Sequence, residues 1–255
     1  MAISYSLSLM AIFFSTNTYG YTFTQDFNKG FYWRAFPIAM KKFASNATDG
    51  ALLESLASEA FNEWEDVIGK NIWEVSAVEQ GAKYSGNFIR WSENFGAETG
   101  YDPSKTLAIT IRYNQGTFFE RTEILLNGGL SYLRQNWGNT LKITLLHEIG
   151  HTVGLDHSDQ QAIMAASLGS VNTLQADDVS GINALVDETL RRQSTGYISP
   201  YSANTQQTNN KLLGGCGSVE DVSSSGPKNF MGAGALGLLI AYALRPRKRK
   251  ALIKY

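Results

Sequence analysis

Three stretches of the chain carry apolar residues at the spacing of an amphipathic α-helix. Residues 51–68 place apolar side chains on one face and acidic side chains on the other, which predicts a helix with one buried side. A central helix is predicted to begin at Asn139 or Thr140, either of which could cap it, and to end at Gly154 in the left-handed conformation. A last helix is predicted over residues 173–192.

Shorter stretches alternate apolar and polar residues, as half-buried β-strands do. This pattern predicts strands over Pro37–Phe43, Ile72–Val78, Phe88–Trp91, Leu107–Tyr113 and Phe118–Leu126. Several strands with few helices indicate a twisted sheet that helices cover. The fold class we expect is therefore α+β, with α/β-like character, built on about five strands and three helices.

The N-terminal residues are apolar and uncharged over residues 3–14. This segment is too short to span a bilayer comfortably and has the length of a signal-peptide core, so we expect a signal peptide over residues 1–20 that is cleaved before Tyr21. The alternative is a buried N-terminal strand. A signal peptide would make residues 21–192 an exported domain.

The composition changes after residue 192. Residues 193–229 are rich in Ser, Asn, Gln, Thr and Gly, which predicts a flexible linker. Residues 230–255 hold an apolar run followed by the basic cluster 245–250, a stop-transfer pattern that would bind the membrane through residues 230–250. The run is shorter than an ordinary span, so an interfacial or buried helix is the alternative.

Charge and cysteine content narrow the classes of function. The formal net charge of the 255 residues is −1, which gives no reason to expect a nucleic-acid partner. Cys216 is the single cysteine, so an intrachain disulfide is excluded. The exported domain must therefore be stabilised by its core or by metal.

The three histidines of the chain, His147, His151 and His157, all lie at or just beyond the central helix. Positions four apart share one face of a helix, so His147 and His151 can bind one ion. Gly154 ends the helix and lets His157 return as a third ligand. Three protein ligands leave one open position, which is typical of a catalytic zinc site.

Glu148 follows the first histidine directly. It projects to the side of the metal-binding face, where it would reach a water at the metal rather than the ion, as a general base does. The alternative is a chance cluster of histidines on a half-buried helix. The added Gly154 and His157 at the required offsets argue against chance.

The pattern His147-Glu148-x-x-His151-x-x-Gly154-x-x-His157 resembles the signature of the metzincin zinc peptidases. These enzymes carry a methionine in a tight turn beneath the metal, and Met164 follows His157 by seven residues. An ordinary core methionine is the alternative for Met164.

Within that clan, the chain resembles the matrixin (matrix-metalloprotease-like) branch, clearly from Leu141 to Val186. The residues that carry this likeness are His157-Ser158, the short gap to Met164, and the segment 174–185. The resemblance implies a mixed, mostly parallel sheet with a central active-site helix and a C-terminal helix.

The same likeness implies roles for residues around the metal. Asp177 matches an acid that braces the methionine turn. The specificity loop, which begins with Ala165, Ala166, Ser167 and Leu168, would form a wall of an open pocket just past the scissile bond.

The chain departs from many matrixins in several respects. No histidine remains for a second, structural zinc, and no cysteine precedes the catalytic helix to act as a propeptide switch. Calcium stays open, because acidic residues are plentiful but no loop has calcium-ligand spacing. Ala165 follows Met164 where a tyrosine is usual.

The tail resembles bacterial C-terminal sorting signals. Gly214, Gly215 and Cys216 precede a polar spacer, the apolar run and the basic end, so they form a candidate processing site for a membrane sorting protease. An incidental thiol and an intermolecular disulfide are the alternatives for Cys216.

These observations predict a secreted or surface-anchored zinc endopeptidase with one catalytic zinc ion. Its polypeptide substrate would lie extended along a sheet edge, and Glu148 would activate the attacking water and pass the proton to the leaving amine. Two alternatives are a catalytically inactive surface-binding module and a zinc hydrolase that acts on a non-protein bond.

Overall fold

The computed structural model describes residues 20–81, 83–202 and 217–220. Its helices are α1 (Gln25–Asn28), α2 (Ala47–Leu52), α3 (Ser58–Ile68), α4 (Phe95–Thr99), α5 (Ser131–Arg134), α6 (Thr140–Val153) and α7 (Ala176–Thr195). A π-helical turn, Leu53–Ala57, joins α2 to α3, and a 3₁₀ turn, Trp137–Asn139, leads into α6. Its strands are β1 (Tyr32–Trp33), β2 (Ile38–Ala44), β3 (Trp73–Gln80), β4 (Asn87–Ser92), β5 (Thr106–Gln115), β6 (Phe118–Asn127) and β7 (Gly217–Glu220).

The strands form one mixed sheet in the order β3-β2-β4-β6-β5-β7, and β1 pairs with the start of β6. Strands β2, β3, β4 and β6 are parallel to their neighbours in this group, whereas β5 runs antiparallel to β6. The predicted mixed, mostly parallel sheet is thereby confirmed. Gly116, at φ 61°, begins the two-residue turn that reverses the chain between β5 and β6.

The predicted helix over residues 51–68 begins earlier than expected. Asn46 caps α2, because its side-chain oxygen accepts a hydrogen bond from the Asp49 N–H at 2.9 Å. The helical path then continues through the π turn into α3 and ends at Gly69, at φ 67°. The buried side chains of this path face α6 and the sheet: Leu53, Ala57, Ala60, Phe61, Trp64 and Ile68.

Helix α6 lies in the centre of the domain, between the sheet and α3, and nearly all of its residues from Leu141 to Val153 are buried. The indole N–H of Trp64 in α3 donates to the Leu146 carbonyl at 2.9 Å, and that of Trp33 in β1 donates to the Thr152 carbonyl at 2.9 Å. These bonds fix α6 from two sides. A smaller cluster on another part of the sheet joins Phe95 of α4 to side chains of four strands: Phe43, Phe88, Ile109, Ile111 and Leu125.

The C-terminal boundary differs from the expected one. Helix α7 begins at Ala176 rather than Thr173, because Gln175 and Asp178 form a capping box, and it continues to Thr195. Strand β7 lies within residues 193–229, all of which the composition assigns to a linker. Those residues are therefore not a linker throughout. Composition misses such a strand because a short segment can join an existing sheet edge through its backbone alone.

The predicted signal peptide lies, up to residue 19, outside the described residues, as do Gly214, Gly215, Cys216 and residues 230–255. Within the part of the chain that the structure describes, no helix has the length and apolar character needed to cross a bilayer.

Candidate metal centre

Helix α6 carries His147, Glu148 and His151, and its start is fixed by a residue that the sequence did not single out. Asn139 adopts a left-handed conformation and makes no side-chain cap. The side-chain oxygen of Asn136 instead accepts hydrogen bonds from the backbone N–H groups of Leu141 and Lys142, at 3.0 and 3.3 Å. The cap therefore lies further upstream than predicted, because the 3₁₀ turn folds Asn136 back over the end of the helix.

Gly154 ends α6 in the predicted left-handed conformation, with φ 113°. A Cβ atom there would lie 3.2 Å from the Cβ and a ring carbon of Phe27, so a larger residue would be both strained and crowded. The chain turns at this point, and the backbone N–H of Thr24 donates to the Gly154 carbonyl at 2.9 Å. The turn brings His157 back towards the helix.

The three histidines converge as the spacing predicted. One ring nitrogen of each lies within 4.8 Å of the others, and the ring centroids are 4.6 to 5.2 Å apart. The Nε2 atoms of His147 and His151 are 3.0 Å apart. His147 and His151 are fully buried, whereas His157 is partly exposed.

Backbone carbonyls orient the two buried rings. His147 Nδ1 lies 2.7 Å from the Ile163 carbonyl oxygen, and His151 Nδ1 lies 2.7 Å from that of Leu155. A carbonyl can only accept, so each Nδ1 carries the hydrogen and each Nε2 presents its lone pair to the common centre. This arrangement is the one that metal-binding histidines use.

Burial keeps these rings in the form that binds metal. Desolvation, together with the neighbouring His157, lowers the pKa of His147 to about 3. The pKa of His151 is also well below its ordinary value, first because of burial and then because of the other two histidines. Both rings are therefore neutral at physiological pH, and three neutral imidazoles that converge on one point fit a zinc ion.

Glu148 is buried beside the cluster. Its Oε2 accepts a hydrogen bond of 2.6 Å from Thr110 Oγ1 in β5, and its Oε1 has no hydrogen-bond partner among the described residues. Burial raises the pKa of the Glu148 carboxyl to about 8, although the Thr110 hydroxyl opposes this shift. A cation held by the three histidines would also oppose it, because an opposite charge favours the carboxylate.

Met164, which the resemblance places in a turn beneath the metal, packs against the helix α6 that carries His147 and His151. It is 1% exposed, and a Cβ atom at Gly150 of α6 would come within 2.6 Å of its sulfur. The methionine therefore packs directly on the turn of α6 between His147 and His151. Ala162 and Ala165 close the turn with a backbone hydrogen bond of 3.2 Å. Gly150 is therefore a residue of this site, although no sequence pattern marks it as one.

The acid that binds the methionine turn is Asp178, not Asp177. The Asp178 carboxylate accepts the backbone N–H groups of Ile163 and Met164, each at 2.9 Å. Asp177 instead accepts the Ser158 hydroxyl and the Gly20 N–H, both at 2.7 Å. Adjacent helical residues point in directions about 100° apart, so a one-residue error exchanges the two faces.

A buried ion pair supports α6 from the sheet. Arg112 of β5 donates to both carboxylate oxygens of Asp26, at 2.9 and 3.0 Å, and also to the backbone carbonyl of His151. Arg112 and Asp26 are both almost fully buried. No local pattern in the sequence predicts this pair, because the two residues are 86 positions apart in the chain.

The predicted specificity loop follows the methionine turn. Ala165 and Ser167 are half-buried, Ala166 is exposed, and Leu168 packs on the edge of the main core. Ala165 also forms an isolated bridge with Ser158, just after His157. The loop therefore begins next to the metal ligands, and its role as a pocket wall stays a prediction.

Comparison with known proteins agrees with this geometry. The family model described as Matrixin matches residues 33–187, more than half of the chain. A comparison with curated proteins gave no match. The matched segment contains the converging histidines and extends from β1 into α7. By its sequence and by its three-histidine centre, the chain belongs to the matrixin family of zinc metallopeptidases.

Proposed function

We propose that this metallopeptidase is an endopeptidase of extracellular proteins in which Glu148 is the general base. The observation that carries the proposal is the position of the Glu148 carboxylate. Thr110 holds one of its oxygens, and the other oxygen has no partner among the described residues beside the histidine cluster. An acid fixed through one oxygen can exchange protons through the other.

The zinc ion would be held by the Nε2 atoms of His147 and His151. A ring nitrogen of His157 that reaches the same centre would be the third ligand. When bound, zinc supplies a Lewis acid that polarises the scissile carbonyl and lowers the pKa of the attacking water. Glu148 Oε1 accepts a proton from that water as the oxygen atom of the water bonds to the carbonyl carbon. The same proton then passes to the amide nitrogen as the C–N bond breaks.

The substrate we propose is a polypeptide in extended conformation. Strand β5 packs against α6, and the hydroxyl group of its Thr110 contacts Glu148. An extended peptide can pair with such a strand through its backbone. The loop from Ala165 to Leu168 would then contact the residue beyond the cleaved bond.

Export and membrane attachment are part of the same proposal. The apolar segment near the N-terminus supports secretion, and the apolar run with its basic end supports attachment through residues 230–250. Cleavage near Gly214, Gly215 or Cys216 by a sorting protease would release or transfer the enzyme. The C-terminal mass of the mature protein tests this step.

The function is tested with purified protein, a casein substrate and a measured zinc content. Wild-type protein should cleave casein and lose activity with a chelator, whereas Glu148→Gln should bind zinc but cleave at least about a hundredfold more slowly. Glu74→Gln, a matched change at an exposed residue of β3, should leave cleavage unchanged. A zinc-loaded wild type that cleaves no protein would instead indicate an inactive binding module or a hydrolase of another bond.

A further inference from the structure

Strand β7 occupies the outer edge of β5. The two strands are antiparallel, with Gly217 opposite Thr110, Ser218 opposite Ile109 and Val219 opposite Ala108. Strand β5 pairs with β6 on its other side, so β7 fills the edge that would otherwise present unpaired N–H and C=O groups.

This edge lies beside the metal centre. Thr110, which faces Gly217 across the ladder, donates its hydroxyl hydrogen bond to Glu148, and β7 also approaches α6 directly. Directly opposite residues of an antiparallel pair have Cα atoms about 5 Å apart. Residues 217–220 therefore lie one strand spacing from β5, the strand whose Thr110 binds the proposed base Glu148.

Strand β7 binds β5 in the same way as an extended peptide binds the edge of a sheet. Backbone hydrogen bonds supply the attraction, and no particular side-chain sequence is required. The segment is short and includes Gly217 and Glu220, which are residue types of low strand propensity. It belongs to the same chain, however, so its local concentration is on the order of millimolar, and a weak strand can still occupy the edge.

We propose that Gly217–Glu220 occupies in cis the outer edge of β5, the docking surface expected for the extended substrate, and competes there with that substrate. The inference rests on the proposed endopeptidase function. Competition raises the apparent KM without changing kcat, because bound substrate meets the same catalytic groups once the tail has left. Release of the segment exposes the edge and permits peptide binding.

The test compares two full-length variants with wild type. Ser218→Pro with Val219→Pro changes two consecutive residues, whose N–H groups point to opposite sides of the strand, so one proline removes a donor to β5. Ser224→Pro with Ser225→Pro places the same change beyond β7 as a control. Both variants retain Cys216, so any effect of its thiol is the same in each.

We expect the β7 variant to cleave a peptide substrate with a KM at least about fivefold lower than that of wild type and an equal kcat. The control variant should match wild type. In hydrogen exchange, those backbone amides of residues 106–110 that point to β7 rather than to β6 should lose protection in the β7 variant alone. An unchanged KM, or equal protection of these amides in all three proteins, would overturn the proposal.

A binding measurement separates failure of this inference from failure of the proposed function. The probe is a labelled peptide of residues 213–222 with Cys216→Ser, which removes the thiol as a metal ligand. It should bind the β7 variant at least about fivefold more tightly than wild type, even if no variant cleaves any protein. Equal binding by wild type and variant would reject the docking surface, whatever the catalytic result.

Discussion

The hydroxyl of Thr110 lies 2.6 Å from Glu148 Oε2 and 3.0 Å from the Glu148 backbone carbonyl. One hydroxyl hydrogen cannot serve two acceptors fully. When the proposed base takes a proton on Oε1, the Thr110 hydroxyl can keep its hydrogen bond to Oε2 or turn its hydrogen to the carbonyl. The Thr110 hydroxyl can therefore stay hydrogen-bonded in both protonation states of the proposed base, with little movement of heavy atoms.

Replacing Thr110 by valine should reduce kcat about tenfold, the equivalent of one lost hydrogen bond of roughly 1.4 kcal/mol, while KM and zinc content stay near wild type. Valine retains the shape of threonine but cannot hold the carboxylate. Thr110→Ser restores the hydroxyl and should recover most of the lost rate. Equal kcat values for the valine and serine variants would show that the hydroxyl does not position Glu148.

Asp178 connects the methionine turn to the first metal ligand. It accepts the N–H of Ile163, whose carbonyl oxygen in turn faces His147 Nδ1. Asp178→Ala would leave three backbone N–H groups without their acceptor, namely those of Ile163, Met164 and Gln175. We expect the free energy of unfolding to fall by about 3 kcal/mol or more, with weaker zinc binding.

Asp177→Ala is the matched control for this prediction. Its carboxylate binds Ser158 and Gly20 but none of the backbone N–H groups of the turn, so the loss should be smaller. Denaturant unfolding and competition with a zinc chelator measure the two effects. A larger loss of zinc affinity for Asp177→Ala than for Asp178→Ala would contradict this assignment.

Local spacing in the sequence predicted the metal ligands of this site. It could not predict contacts between residues that are far apart in the chain. The helical repeat and Gly154 place His147, His151 and His157 together by short-range geometry, and the five main strands follow from alternation. Thr110 and Arg112 could not be identified, because a strand pattern does not reveal which helix its residues face. The Asp177 assignment was wrong by one residue, because neighbouring acids in a first helical turn look alike in sequence.

Gly150 is required by the packing of Met164. A methyl group at residue 150 would lie 2.6 Å from the methionine sulfur and 3.2 Å from the indole of Trp64. Gly150→Ala should therefore destabilise the domain by about 1–3 kcal/mol, although alanine normally favours a helix. It should also weaken zinc binding, because Met164 supports the turn that carries both buried histidines.

Gly169→Ala provides the control, because a Cβ atom there meets no heavy atom within 4 Å. The free energies of unfolding of both variants can be compared with that of wild type in urea, with and without zinc. If Gly150→Ala proved as stable as Gly169→Ala, the contact between Met164 and α6 would not be tight.

The buried carboxyl of Glu148 should make the stability of the chelator-treated protein depend on pH. The pKa of this group is about 8 in the folded protein, raised by burial from its ordinary value of 4.5. Between these values the native protein binds more protons than the unfolded chain, so the free energy of unfolding must fall as pH rises from about 4.5 to about 8. The lowered pKa values of His147 and His151 have the opposite effect, because they make the free energy of unfolding rise with pH. This effect is confined to pH values below about 6.5.

Glu148→Gln isolates the contribution of the carboxyl, because it keeps the histidines and removes the titrating group. The difference in the free energy of unfolding, wild type minus variant, should decline steadily from pH 4.5 to pH 8 in protein treated with a chelator. The decline should shrink when zinc is added, since a nearby cation favours the ionised carboxylate and lowers its pKa. Parallel curves for the two proteins across this interval would show that Glu148 titrates near its ordinary pKa and is not desolvated by the fold.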